Sequence, residues 1–154
     1  MLRSAFLILV LIAASPAYSQ QPQCDAAAFR EAVAGASASI TKLHEQNAKL
    51  FQEQLQKLRA LNKWSDAEYV AKATPFVKDE TTASLDAANQ ALLTKVQSLE
   101  AANASTDAGR CTMLGEVKLA MDKVVANTAA KWQHMLTKVA QATAQPVVEA
   151  GLTH

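Results

Sequence analysis

Apolar residues at Phe29, Val33, Ala36, Ile40 and Leu43 are spaced by steps of 4, 3, 4 and 3, the repeat that places side chains in one seam along a helix. After Asn47 the stripe continues at Phe51, Leu55, Leu58 and Leu61, and the 4-4 step through Asn47 relaxes the repeat toward a straight helix. Asp25 stands where an N-cap belongs. Glu45/Lys49 and Glu53/Lys57 are ordered as i,i+4 pairs on the wet face. A helix from Asp25 to about Asn62 is roughly 55 Å long at about 1.5 Å per residue. That exceeds a compact globule, so the helix must lie along partners.

The rest of the chain supplies them. Ser65 and Glu68 in "WSDAEYV" have the spacing of a capping box, which starts a short helix. Thr74-Pro75 reads as a second start, with Thr as N-cap and Pro at the first helical position. Leu85, Ala88, Leu92, Val96 and Leu99 then mark an amphipathic stretch to about Ala102. After the loop "NASTDAGR", with Ser105 or Thr106 as cap, a last stripe runs Leu114, Val117, Met121, Val124, Thr128, Trp132, Met135, Val139. It ends near Ala142, before Pro146; the tail "PVVEAGLTH" is too short to assign. Few glycines and prolines and 5% aromatics argue against an all-β fold. The expected fold is all-α: an elongated antiparallel three-helix bundle whose middle arm is broken before Pro75.

The first twenty residues, "MLRSAFLILVLIAASPAYSQ", have the layout of a secretory signal peptide. Arg3 precedes an apolar run from Ala5 to Ala14, Pro16 breaks it, and Ala17-Tyr18-Ser19 offers small residues for cleavage after Ser19. The run is about ten residues where roughly twenty are needed to span a bilayer. Residues 1–19 are therefore expected to be removed, leaving 20–154 as one helical domain, periplasmic or secreted, with no transmembrane segment. Setting aside Arg3, 14 basic residues balance 14 acidic ones. Nothing in that balance favours nucleic acid or an anionic membrane surface as partner.

Only two cysteines are present, Cys24 and Cys111. If the first helix runs up, the broken arm down and the last helix up, both cysteines come to the same end. The expectation is a disulfide between them, permitted by an oxidising compartment. No Cys-x-x-Cys redox pair and no close zinc-ligand spacing is present.

Candidate chemistry is sparse. His44 and His134 sit at comparable heights, but at about 100° per residue each falls off its own apolar stripe, so both are expected in solvent and no metal site is expected. Met121, Met135 and Trp132 lie on the stripe and read as core. Asp79 and Glu80 follow Pro75 where the helix dipole alone explains them. No catalytic motif, phosphate loop or cofactor signature stands out, and the Asn103-Ala-Ser triplet is a short match of frequent chance occurrence. Trp64, Tyr69 and Phe76 cluster at the upper turn. They either close the end of the bundle or, where exposed, form a candidate contact surface for a protein partner, since aromatics carry much interface energy. The functional expectation is a non-enzymatic exported binding or adaptor protein of the cell envelope, chaperone-like in one form. Two alternatives stand beside it: a self-associating coiled-coil protein built on the Phe29–Leu43 seam, and a carrier of haem, metal or a hydrophobe with a pocket near Trp132.

Overall fold

The structure is a computed structural model that describes residues 24–101 and 106–145. The leader, the Asn103 triplet and Ser105, the tail from Pro146 and His154 lie outside those residues. Among the described residues there are four helices and no strand: α1 (Ala26–Leu61), α2 (Asp66–Val77), α3 (Glu80–Ala101) and α4 (Asp107–Ala144). No described helix is long and apolar enough to cross a membrane.

Each boundary has a local cause. The Asp25 carboxylate accepts from the N–H groups of Ala27 (3.0 Å) and Ala28 (2.9 Å), satisfying two of the orphan donors that open α1. At the other end, Lys63 N–H donates to Ala60 O (3.3 Å) and Trp64 N–H to Arg59 O (3.1 Å), the paired bonds of a Schellman stop. Lys63 takes the left-handed position of that motif, φ 52°, where glycine is the usual occupant. A lysine there costs roughly 1 kcal/mol. The Ser65/Glu68 capping box forms, with Ser65 N–H donating to Glu68 Oε2 (3.0 Å) and Glu68 N–H to Ser65 Oγ (3.4 Å). Thr106 caps α4 by accepting from Gly109 N–H (3.1 Å).

One boundary departs from expectation. The arm does not break before Pro75: α2 continues through Pro75 to Val77, and the chain leaves helical geometry at Lys78 (φ −129°, ψ 108°). Pro75 sits in the last turn, where its missing N–H forfeits one bond near a helix end rather than interrupting a ladder in mid-helix. Thr74 does not cap; its hydroxyl donates back to Val70 O (2.7 Å). The residue that caps α3 is Asp79, just before its first helical residue. Its carboxylate accepts from Thr82 N–H, and the Thr82 hydroxyl accepts from Asp79 N–H, both at 2.9 Å.

Packing centres on α4, which touches each of the other three helices. Near its start, Val117, Ala120 and Met121 form a buried cluster with Ala36 of α1 and Val96 of α3, flanked by Phe29, Val33, Leu92 and Leu99. Toward its end, Met135 and Val139 join Phe51, Leu55 and Leu58 of α1 in a second cluster. Start therefore meets start and end meets end between α1 and α4. The α3 contacts step the other way: Lys95 with Glu116 (2.9 Å), Asn127 donating to Asn89 (3.0 Å), Lys131 with Asp86 (2.6 Å). The expected bridge between Cys24 and Cys111 is present, with their Cα atoms 4.9 Å apart.

Two details of the surface differ from the sequence reading. Leu61, the last member of the α1 stripe, is 47% exposed in the final turn of its helix. On the wet face of α1 the ion pair is Lys49 with Glu53 (3.9 Å), displaced by one step from the expected Glu45/Lys49 and Glu53/Lys57 pairs. Both partners are open to water, so the pair contributes little.

Candidate functional site

The Schellman stop turns the chain sharply after α1, and this places Trp64 against the upper cluster. Phe76, from the last turn of α2, packs on the same cluster together with Ala73 and Val77. Trp64 and Phe76 therefore cover Phe51, Leu55, Leu58, Met135 and Val139 while each stays half-buried. Tyr69 is placed differently, at the rim. The Arg59 guanidinium lies 5.2 Å over its ring, and Gln56 Nε2 donates to its hydroxyl at 3.5 Å. Arg59 also donates to Trp64 O (3.1 Å) and pairs with Asp66, so one side chain fastens the turn, the start of α2 and Tyr69.

The burial of α2 is incomplete. None of its residues is buried, although the helix carries Tyr69, Val70, Ala73, Phe76 and Val77. Val70 is 72% exposed, the largest exposure among the bulky apolar side chains of the described residues. An apolar side chain that open, on a helix so lightly packed, is the feature of this end that the fold itself does not use.

A polar node lies at the other end of α2. Asp79 Oδ2 meets His134 Nε2 at 2.7 Å and also accepts from Lys138 Nζ, and Lys138 donates as well to Pro75 O (2.7 Å). These contacts correct the sequence reading, in which Asp79 served the helix dipole and His134 faced solvent; the His134 side chain is only 29% exposed. The hydrogen bonds from His134 first, then from Lys138 and the Thr82 N–H, hold the Asp79 carboxyl well below the usual carboxylate range. Because its folded value is depressed, the carboxylate stays ionised through neutral and mildly acidic pH. The stability it contributes is fully present above the ordinary aspartate value and is lost progressively as pH falls from there through the lowered one. Thr82, the hydroxyl in the node, is buried and donates to Asp79 O (3.0 Å), so it is committed to the turn rather than free to attack a substrate. The node ties α2, α3 and α4 together.

The remaining candidates have ordinary surroundings. The His44 ring lies 5.5 Å from that of Trp132, which meets Phe51 edge-on at 6.2 Å. Met121 and Met135 are core. Among the described residues no group of three His, Cys, Asp or Glu side chains converges as a metal site. A groove of about 450 Å³ runs between α1 and α4, lined by Ala28, Gly35, Ser39, Lys118 and Val125 among others. It lies along the lower half, away from Trp132. The chain matches no protein-family model, no characterised protein sequence and no solved structure.

Proposed function

We propose that this is an exported, non-enzymatic binding protein of the cell envelope, of adaptor or chaperone type, whose partner surface is the α2 end. In this reading the helices make an elongated antiparallel three-helix bundle, with α2 and α3 as the returning arm. The start-to-start pairing of α1 with α4 and the opposed stepping of α3 support that arrangement. Export after removal of residues 1–19 accords with the Cys24–Cys111 bridge, since disulfides persist in oxidising compartments. The observation that carries the binding reading is the exposure of Val70, 72%, on a helix that buries none of its residues, beside the half-buried aromatics Trp64, Tyr69 and Phe76. A protein partner with an apolar face is the chemistry that would cover them.

Self-association through α1 receives less support, because Phe29, Val33 and Ala36 of its seam are already engaged in the lower cluster. The test is recovery of partners from envelope extract with the wild-type chain and with Val70→Glu. This position is open enough that the substitution leaves the helical content unchanged. We expect partners recovered with the wild type to be lost with Val70→Glu. Equal recovery with both would discard the α2 end as the contact surface.

A further inference from the structure

We propose that α2 is a hinged lid over the upper apolar cluster, latched to α4 by Lys138. Three observations converge on this. First, α2 has a non-helical joint at each end. One is the Asn62–Trp64 turn with Lys63 at φ 52°, and the other is the extended Lys78 between Val77 and Asp79. Local φ/ψ change at a few such residues is how hinged elements move.

Second, the lid is lightly held by apolar contact and covers something that is not. No residue of α2 is buried, and its packing runs chiefly to α4. Beneath it, Phe51, Leu55, Leu58, Met135 and Val139 are all buried. Segments with few buried contacts open at a lower free energy than the core they cover.

Third, the hold on the far end of α2 is polar and specific. Lys138 Nζ donates to the Pro75 carbonyl (2.7 Å), in the last helical turn, where carbonyl groups lack intrahelical donors. Asp79 receives the same ammonium and fixes its position, while His134 holds Asp79 from the adjacent turn of α4. Asp79 itself belongs to the α3 side of the joint, so it stays with α4 when α2 swings. The near end remains tethered through Arg59, which pairs with Asp66 and lies over Tyr69. Loss of the Lys138 contact leaves the far end held only by the half-buried Ala73, Phe76 and Val77, with the Arg59 end as the pivot.

The inference concerns motion of the chain itself, so its readout is separate from partner recovery. Amide hydrogen exchange of the whole mature protein is compared for wild type, Lys138→Met and Lys138→Arg. Lys138→Met removes the donor but keeps the stem, and Lys138→Arg restores a donor. In Lys138→Met the exchange of residues 66–77 is expected to quicken on the order of tenfold. Residues 26–50 and 107–130 should keep their wild-type rates, and Lys138→Arg should recover much of the protection in α2. Unchanged rates in α2 of Lys138→Met, or an increase shared equally by all four helices, would overturn the latch.

Discussion

Replacing both cysteines, Cys24→Ser with Cys111→Ser, should lower the free energy of unfolding by about 4–5 kcal/mol, the chain-entropy value for a loop of this length. The bridged residues are 87 apart in sequence, so the bond removes a large share of the unfolded chain's freedom. The size of the loss matters because domains of this kind are held by only about 5–15 kcal/mol in total. It matters most at the lower end of the molecule. There the buried cluster consists of Ala36, Val96, Val117, Ala120 and Met121, mostly small side chains with little apolar area to bury. The upper cluster, with Phe51, Leu55 and Leu58, has more. Urea unfolding of the wild type and the double variant measures the difference. A loss below about 1 kcal/mol would mean that loop closure is not what holds the lower end.

The second large effect belongs to the upper cluster. Leu58→Ala should cost about 2–5 kcal/mol, because the removed atoms leave a cavity that neighbours on two helices cannot close. Leu58 is 2% exposed and packs among Phe51, Leu55, Met135 and Val139. Leu50, on the same helix and 44% exposed, is the internal control. Leu50→Ala should fall within about 0.5 kcal/mol of wild type. The pair of midpoints from denaturant titration tests which face of α1 carries the fold. Comparable losses at the two positions would contradict the assignment of α4 as its packing partner.

Much of this architecture was legible because it rests on local chemistry. Asp25 and the Ser65/Glu68 box cap helices with side chains two or three residues from the groups they satisfy. The α4 stripe from Leu114 to Val139 marks core positions: six of its eight members are buried, and Thr128 and Trp132 are half-buried. The position of the two cysteines followed from counting reversals of the chain. The arm reads as broken before Pro75 because a proline start and a proline in a final helical turn look alike in sequence. The deciding partner, Asp79 with Thr82, lies four residues further on.

The Asp79 node was invisible for a different reason. His134 and Lys138 lie 55 and 59 residues from Asp79 in the chain, and long-range polar pairs leave no periodic trace. Their common line along α4, one turn apart, was the available signal. A single apolar seam does not describe α4, because the helix packs on two sides. Facing α1 along one line and α3 along another, α4 has partners for side chains that a one-seam reading assigns to water. The same geometry brings Asp86 to Lys131 and Asn89 to Asn127.

In the proposed reading an exported chain returns the start of its last helix to the foot of its first and is fastened there by the Cys24–Cys111 bridge. Mass spectrometry of non-reduced digests, made from mature protein recovered outside the cytoplasm, tests it most directly. The predicted result is a cross-linked peptide pair joining Cys24 to Cys111 in monomeric protein that begins after the leader. Free thiols at those two positions, or cross-links between separate chains, would contradict it.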